Sequence, residues 1–512
     1  MTARIYALAA LGGALYFLGW AGFGFWPLSF IAMVPFWAAL ELGLQRSTRH
    51  TLFVGWFNGL VMMAGGYHWL VPFLETFSGY GLVPSALIWL IFSAYLGGES
   101  ALFALLYRAL RRRGWSVSFV ALPCWVLIEW VYPSLFPSFL SNSMHNQPLF
   151  VQTADLGGPL LVSIPIVLTN LALFETVRWQ RGQRSMPRVP WGIAIVAVGL
   201  TLAYGAMRIP QIEAAIKEAP SIRLGMVQVN MGVFEKRKDA AKGHRRHLEQ
   251  SRELEAAGDL DLLVWPESAY VKRLPRKVPF NGEKVRRDVK TPLLFGGISI
   301  GHEGDKRRIY NTAFMMDAEG TVHSTYDKRF LLAFGEYLPF GEEFPVLYQL
   351  SPNSGRFKKG DHMRPLPFGE WRISTPVCYE DVLPGFTRKM VLEADPHIMI
   401  NLTNDAWFGD TQEPYIHLAM SQFRAIEHRL YLVRSTNSGV SAVIDPVGRI
   451  VASTNLMTRD NIRYDVHMLD LNTIYTRFGD WPGWLCVLAV VYMFIRRRDS
   501  ETAASGTSLP AS

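Results

Sequence analysis

Long apolar runs separated by short polar loops fill the first 208 residues, and one further apolar run lies near the C-terminus. A helix that crosses a hydrocarbon core of ~30 Å needs about 20 largely apolar residues. Eight stretches have this character, some only when their aromatic flanks are included: Ile5–Phe23, Leu28–Leu44, Leu52–Phe73, Leu82–Tyr107, Ser116–Tyr132, Leu160–Val177, Trp191–Met207 and Trp481–Ile495. The pattern therefore predicts a multi-pass α-helical membrane bundle, with seven spans in 1–208 and an eighth in 481–498.

Basic residues between these runs predict the orientation of the bundle. Loops 24–27, 74–81 and 133–159 contain no Lys or Arg, and they alternate with four segments that hold thirteen arginines: Arg46 and Arg49; Arg108 and Arg111–Arg113; Arg178, Arg181, Arg184 and Arg188; and Arg496–Arg498. By the positive-inside rule the arginine segments face the cytoplasm. The region 209–480 is then predicted to lie outside the cytoplasmic membrane, and the polar tail 499–512 is predicted to be a disordered cytoplasmic segment.

Two other interpretations of the apolar runs remain open. The first run could be a cleaved signal peptide, but its apolar region is long and has no clear A-x-A site, so a retained helix is favoured. The bundle could also be a transporter, because Glu99 and Glu129 fall within or near spans and intramembrane charges often mark transport. A lone Glu near a helix end is more often interfacial, which makes transport the less favoured interpretation.

Between residues 209 and 480 the pattern changes to short apolar strands that alternate with helices. The predicted strands are Ile222–Val229, Leu260–Trp265, Leu293–Ile300, Asn311–Met316, Thr321–Tyr326, Arg372–Val377, His397–Leu402, Leu430–Ser435, Val440–Ile444 and Ile450–Ser453. The predicted helices are Lys236–Ala257, Phe386–Ala394 and Ile416–His428. This alternation is typical of one large layered α/β domain.

Composition and charge agree with a membrane protein that carries one aqueous domain. Half of the 512 residues are hydrophobic and only 18% are charged. Removing the thirteen loop arginines from the formal net charge of +8 leaves −5 for the rest of the chain. The basic excess is therefore a feature of membrane topology, and no nucleic-acid partner is expected.

One cysteine stands apart from the other two. Cys124 and Cys486 lie in apolar spans, which leaves Cys378 as the only thiol of the aqueous domain. Oxidising compartments normally pair their cysteines. A solitary thiol there is either buried and inert or retained for its reactivity.

Three charged residues supply what a reactive thiol needs. Glu267, Lys328 and Cys378 each follow a predicted strand, where loops carried by a rigid sheet present side chains to substrates. A thiol needs a neighbouring base or cation to become an efficient nucleophile. Glu267 would take the thiol proton, Lys328 would favour the thiolate and stabilise an oxyanion, and Glu336 would hold either partner in place.

The motifs around these residues resemble a known superfamily. The segments VWPESA with Glu267, YDKRFLLAFGEYLP with Lys328 and Glu336, and TPVCYED with Cys378 resemble the nitrilase (carbon–nitrogen hydrolase) superfamily. Combined with the membrane bundle, they resemble its membrane-bound members, the apolipoprotein N-acyltransferase family. Further similar segments are NLTNDAWFG (401–409), HLAMSQFRAIEHRLYLVRSTNSGVSAVIDPVG (417–448) and TRFGDWP (476–482). The resemblance implies an αββα sandwich over the aqueous domain.

The resemblance also implies a reaction and its partners. Cys378 would attack the ester of a phospholipid, typically phosphatidylethanolamine, and become a thioester. The acyl group would then pass to the N-terminal amine of the diacylglyceryl-cysteine of an apolipoprotein, in a ping-pong mechanism. No cofactor and no metal are implied. The protein would reside in the bacterial inner membrane with its catalytic domain on the periplasmic side.

The same resemblance assigns roles to individual residues. Glu267 would be the general base, Lys328 the oxyanion stabiliser and Glu336 a supporting acid near that pair. Tyr379 and Glu380 match the C-Y-E of the family and would flank the nucleophile.

An aromatic loop follows the predicted strand His397–Leu402. It contains Asn404, Trp407 and Phe408, and Gly409 offers a hinge. Loop aromatics are more often core residues. Because the implied substrate is a lipid, a lid that grips acyl chains is an equally good interpretation.

Two rival functions remain at this point. A membrane-tethered amidase of the same superfamily would pass the acyl group to water, although such an enzyme has no need of eight spans. A non-catalytic lipid-binding protein would not depend on Cys378.

Overall fold

The computed structural model describes residues 1–351 and 353–496, so most of the predicted segment Arg496–Arg498 and the predicted tail 499–512 lie outside the described residues. Ten α-helices lead up to the first strand: α1 (Thr2–Gly19), α2 (Met33–Leu42), α3 (Thr48–Gly66), α4 (Leu70–Ser78), α5 (Leu82–Leu96), α6 (Gly98–Arg111), α7 (Val117–Val131), α8 (Pro148–Val151), α9 (Ala154–Gln180) and α10 (Arg188–Glu218). Short 3₁₀ helices occupy Trp26–Phe30 and Leu140–Met144.

Within the described residues, four helical segments are long and apolar enough to cross a membrane by length and composition. They are Thr2–Gly19, Leu82–Arg111, Ala154–Gln180 and Arg188–Glu218. Three shorter apolar helices lie at Trp26–Leu42, Val117–Val131 and Trp481–Ile495. The prediction of an apolar bundle is supported. By length and composition, however, the described residues contain four candidate spans rather than the predicted eight.

Two predicted boundaries differ from the observed ones. Helix α10 continues past residue 208 to Glu218, because the apolar pattern gives way to the helix-forming sequence IEAAIKE rather than to a turn. Helix α9 begins at Ala154 rather than at the predicted Leu160 and is kinked at Gly157 and Gly158. Gly158 has φ +67°, and a Cβ atom there would lie 2.5 Å from the ring of Tyr475, so a larger residue does not fit.

Residues 221–351 and 353–496 form thirteen strands and eight further helices. The strands are β1 (Ser221–Gln228), β2 (Leu262–Pro275), β3 (Phe280–Asn281), β4 (Leu293–Glu303), β5 (Lys306–Met316), β6 (Thr321–Asp327), β7 (Leu366–Phe368), β8 (Trp371–Ser374), β9 (Ile398–Thr403), β10 (Leu432–Thr436), β11 (Ala442–Ile444), β12 (Ile450–Ser453) and β13 (Asp460–His467). The helices are α11 (Val233–Lys238), α12 (Ala240–Ala256), α13 (Glu283–Arg286), α14 (Leu347–Leu350), α15 (Pro384–Ala394), α16 (Glu413–His428), α17 (Ile474–Phe478) and α18 (Trp481–Ile495).

These strands form two stacked sheets. The first has seven strands in the order β13-β1-β2-β4-β5-β6-β3, and the second has six in the order β12-β11-β10-β9-β8-β7. Apolar side chains of both sheets, such as Val264 and Ile400, share one buried cluster between them. Helix α12 covers the outer face of the first sheet, and α15 and α16 cover the second. This is the αββα sandwich that the resemblance implied.

The sandwich sits directly on one end of the bundle. Apolar residues of α16 and of the segment after Cys378, including Ile416, Met420 and Tyr379, belong to the same hydrophobic cluster as the bundle helices. A buried ion pair joins Arg429 at the end of α16 to Asp155 at the start of α9, with Nη2 and Oδ2 2.8 Å apart. The side chain of Gln152 accepts a further hydrogen bond from Arg429 at 2.7 Å. Bundle and sandwich therefore form one continuous packed body.

We expect Asp155→Ala to destabilise the protein strongly. The substitution leaves the fully buried guanidinium of Arg429 without its carboxylate, which costs about 3–5 kcal/mol when one partner of a buried pair is removed. Thermal unfolding in detergent micelles measures the loss. Asp465→Ala, which removes the partner of exposed Arg223, is the control, and we expect it to lower the unfolding temperature far less. Equal effects of the two substitutions would contradict this account.

Candidate active site

Cys378 lies on a tight turn that packs against two hydrophobic clusters, the one between the two sheets and the one that includes the bundle helices. It begins a 3₁₀ helix, Cys378–Val382, and has φ +52°, a left-handed conformation that is uncommon for residues other than Gly. The side-chain amide of Asn401 donates to the carbonyl oxygens of Cys378 at 3.0 Å and Pro376 at 3.2 Å. Such backbone strain is maintained only where surrounding contacts fix it, and it is frequent at functional sites.

Glu380 connects the turn of Cys378 to the loop of Lys328. Its buried carboxylate accepts hydrogen bonds from the backbone N–H of Val377 at 2.8 Å and of Arg329 at 2.7 Å. The hydroxyl of Tyr326 donates to the same group at 2.9 Å. Burial raises the pKa of Glu380 to about 7, against the opposing attraction of Lys328. The predicted flanking residue is therefore a brace that holds two loops in fixed relation.

Lys328 directly follows β6, as predicted, and its side chain is only 1% exposed. Its Nζ lies 2.8 Å from Oε2 of Glu336 and 4.0 Å from Oε1 of Glu267. Burial lowers the pKa of Lys328, but the negative charges of nearby carboxylates, chiefly Glu336 and then Glu267, outweigh burial and raise it above its usual value. The side chain is therefore a permanent cation at neutral pH, and its direct ion-pair partner is Glu336.

Glu267 lies inside a strand rather than after one, so the predicted position is wrong in this respect. Strand β2 runs from Leu262 to Pro275, well past the predicted end at Trp265. Its pairing with β4 is irregular between Trp265 and Tyr270, and Ser268 has φ +53°. This irregularity bends the strand and directs the carboxylate toward Lys328, as β-bulges commonly do at active sites.

Asn311 in β5 links the two carboxylates, a role that the sequence did not reveal. Its Nδ2 donates to Oε1 of Glu267 at 2.6 Å and to Oε1 of Glu336 at 2.8 Å. The only signal in the sequence is a polar residue at the start of a predicted apolar strand. The amide fixes both carboxylates beside the single ammonium group.

The pKa of the Cys378 thiol depends on burial and on these neighbouring charges. Burial, followed by the negative charge of Glu267, raises the pKa of Cys378 well above its usual value, while Lys328 acts in the opposite direction. The resting group is therefore a neutral thiol with a carboxylate and an ammonium group within electrostatic reach. This arrangement suits a nucleophile whose proton is removed only when it attacks.

A cavity opens at Cys378, and the bundle forms much of its wall. Tyr67, Trp69 and Phe136 of the bundle region line it together with Tyr379 and Leu332. The ring of Tyr379 packs edge-on against Phe136, with ring centroids 5.4 Å apart. Most of its lining side chains are apolar, which favours contact with hydrocarbon groups, and Glu413 and His417 are the charged groups on its wall.

The aromatic loop also contacts the bundle rather than the core of the sandwich. Phe408 stacks on Phe73 of α4 with centroids 5.1 Å apart, and Trp407 meets Phe77 at 5.2 Å. Asn404 has a local role, because its Oδ1 accepts a hydrogen bond from Asn437 at 3.0 Å. Phe408 also lines the cavity at Cys378, and Asn404 holds the base of the loop.

A second buried polar network lies beside the turn, and the sequence did not predict it. Arg434 donates to Asp381 and to Asp405, each at 3.0 Å. His417 Nε2 lies 2.9 Å from Asp381. Burial and Arg434 lower the pKa of His417, but the carboxylates of Asp381 and Asp405 outweigh them and raise it to about 9. The network therefore balances two cations with two anions.

Comparisons with known proteins cover nearly the whole chain. Residues 12–172 match the family profile "Apolipoprotein N-acyltransferase N-terminal domain", and residues 223–475 match the profile "Carbon-nitrogen hydrolase". A Geobacter metallireducens protein named "Apolipoprotein N-acyltransferase" is 31% identical, with 97% of this chain and 96% of that protein aligned. A protein of the same name from Azotobacter vinelandii is 30% identical over 98% and 97% of the two chains. Among solved structures, Saccharomyces cerevisiae Nit3 of the nitrilase superfamily aligns over 48% of this chain and 90% of its own, with 16% identity and a TM-score of 0.38.

We expect Glu267→Gln to lower the pKa of Cys378, because the carboxylate charge raises it in the wild-type protein. The pH dependence of Cys378 alkylation by iodoacetamide, followed by mass spectrometry of its peptide, measures the midpoint. The midpoint should move to lower pH. Glu319→Gln, on an exposed turn, is the control and should leave it in place. An upward shift would contradict the electrostatic role of Glu267.

Proposed function

The chain belongs to the apolipoprotein N-acyltransferase family, and on this premise we propose that it transfers a fatty acyl group from a membrane phospholipid, through a thioester on Cys378, to the N-terminal amine of a diacylglyceryl apolipoprotein. Phosphatidylethanolamine is the proposed donor. One observation carries the proposal: a buried thiol with charged neighbours faces an apolar cavity whose wall comes largely from the bundle. A lipid ester can reach such a site without leaving the membrane.

The first half of the reaction follows from the positions of the charged groups. The sulfur of Cys378 attacks the ester carbonyl carbon while Glu267 takes the thiol proton. Lys328, held by Glu336, stabilises the oxyanion that forms. The C–O bond to the glycerol then breaks, and the lysophospholipid leaves as an alcohol with the proton from Glu267.

The second half reverses the roles of these groups. The acceptor amine attacks the thioester carbonyl carbon, the C–S bond breaks, and Cys378 regains a proton. Splitting the transfer through a thioester replaces one difficult step with two easier ones. The apolar cavity excludes water, which favours an amine over hydrolysis.

The arrangement of basic segments supports a periplasmic location for the sandwich. Helix α9 begins at the sandwich, where Asp155 pairs with Arg429, and ends at the basic segment that contains Arg178. At that far end Arg111 pairs with Glu41 at 2.7 Å, and Arg113 donates to the carbonyl of Phe494 at 2.7 Å. The positive-inside rule assigns this end to the cytoplasm. We propose about eight spans in a bacterial inner membrane. The proposed division is 1–208, 209–480 and 481–498, except that the first part extends to Glu218, where α10 ends.

Hydrolysis is the rival outcome, because the sandwich matches a carbon–nitrogen hydrolase profile. Purified protein incubated with phosphatidylethanolamine and a diacylglyceryl peptide should yield N-acyl peptide, and a fatty-acyl mass should appear on the peptide that contains Cys378. Cys378→Ser should abolish both products without unfolding the protein, whereas Cys124→Ser in the bundle should retain them. Free fatty acid as the main product, or acylation that persists in Cys378→Ser, would overturn the proposal.

We expect Glu267→Gln to slow thioester formation by about 10²–10⁴-fold, the usual contribution of a positioned base. Rapid-quench measurement of acyl-enzyme in the absence of acceptor gives the rate directly. The same substitution should make alkylation of Cys378 easier, so the two assays should move in opposite directions. Equal slowing of both would indicate a misfolded site instead of a lost base.

A further inference from the structure

Glu413 is a buried carboxylate without a full set of partners. It is the first residue of α16 and is only 4% exposed. Among the described residues no group donates a hydrogen bond to its Oε2. The nearest cationic atom given by the structure, Nδ1 of His417, lies 3.8 Å from its Oε1, beyond hydrogen-bond distance. A buried polar atom without a partner is costly and calls for an explanation.

This carboxylate faces the cavity of the nucleophile. Glu413 and Cys378 line the same enclosed space, together with Phe408 of the aromatic loop. Tyr67, Trp69, Tyr379 and His417 also line this space and carry donors, but none of them donates to Oε2 of Glu413. A ligand that enters this cavity is therefore the natural source of the missing donor, and it would lie beside the sulfur.

The surrounding charges select a cation. The charged groups near Glu413 are Asp381, Asp405, His417 and Arg434, and they already balance one another as two anions and two cations. Glu413 is the additional acidic group, and the positive charge of a bound cation would favour its ionised form. On the other side of the thiol, Lys328 faces two carboxylates, so that cluster adds no free positive charge. The cavity favours a small positively charged donor over an anion.

A metal ion is a poorer fit than an organic cation. Asp405, Glu413 and His417 have ligand atoms within 4.8 Å of one another. However, Asp405 is already paired with Arg434 at 3.0 Å, and His417 is paired with Asp381 at 2.9 Å. The raised pKa of His417 keeps its ring protonated, and a protonated ring does not ligate a metal. Among the described residues, Glu413 and Oδ1 of Asp405 are then the oxygens left in this group, which is too few ligands for a metal site.

We propose that Glu413 binds the ammonium group of the acyl acceptor beside the Cys378 thioester and takes the proton that the amine must lose before it attacks. This inference rests on the proposed function. The ammonium gives one proton to the Glu413 carboxylate, and the neutral amine nitrogen bonds to the thioester carbonyl carbon. The C–S bond breaks, the second amine proton returns to the Cys378 sulfur, and Glu413 later releases its proton to solvent.

The acidity of Glu413 suits this transfer. Burial, followed by the nearby charge of Asp405, raises the pKa of Glu413 to about 8. An α-amine has an unperturbed pKa of about 7.7–8.0. Because the two values are close, a proton can move from the ammonium to the carboxylate without a large free-energy cost.

The test measures acyl-enzyme formation and acyl transfer separately in the Glu413→Gln variant. Acyl-enzyme should form from phosphatidylethanolamine at a rate within about twofold of wild type, because Glu413 does not act in that step. Single-turnover transfer to a diacylglyceryl peptide should fall about 10²-fold, so that acyl-enzyme accumulates. Hydroxylamine, a nucleophile that is uncharged at neutral pH, should release the acyl group from both proteins at equal rates. Glu393→Gln, on the outer helix α15, is the matched control.

Each outcome is informative. Normal transfer to the peptide by Glu413→Gln would overturn the inference and leave the proposed function intact. Loss of thioester formation, or slow release by hydroxylamine, would also overturn it, because Glu413 would then merely support the cavity. Failure of the wild-type protein to form a thioester or an N-acyl peptide would instead overturn the proposed function.

Discussion

The buried ammonium group of Lys328 is the constraint on which the site depends. A charge with 1% exposure is tolerated only when opposite charges and hydrogen bonds compensate it. Glu336 and Glu267 provide the charges, and Asn311 holds both carboxylates in place. These partners come from a loop and from two separate strands, so the compensation of one charge fixes the relative positions of β2, β5 and the segment after β6.

The thiol is held in relation to this cluster by a second buried carboxylate. Glu380 receives hydrogen bonds from both the Cys378 turn and the loop after Lys328. The bundle then covers the assembled site with aromatic rings such as Phe136. Excluding water strengthens the electrostatic interactions inside the site, and in the proposed reaction it would also protect the acyl group from hydrolysis. The site is therefore held in place by compensated charges of the sandwich and covered by aromatic side chains of the bundle.

The sequence predicted those features that depend on local pattern. The pattern of short apolar runs placed β6 within one residue of its observed end, and with it the position of Lys328. The same pattern did not predict that Glu267 lies within β2, because the strand continues through an irregular, bulged stretch past the end of its apolar run. Asn311, Arg434 and Glu413 were missed since each is an ordinary polar residue until distant partners surround it. The contact of Trp407 with α4 was missed for the same reason, as no local pattern encodes it.

The central claim is that an acyl chain bound to Cys378 lies against the bundle. A phospholipid with a diazirine in its acyl chain, activated by light after thioester formation, tests this most directly. Mass spectrometry should locate the cross-links on Tyr67, Trp69 and Phe136, which line the cavity. Cross-links confined to the solvent-facing surface of the sandwich, with none on the bundle, would contradict the account.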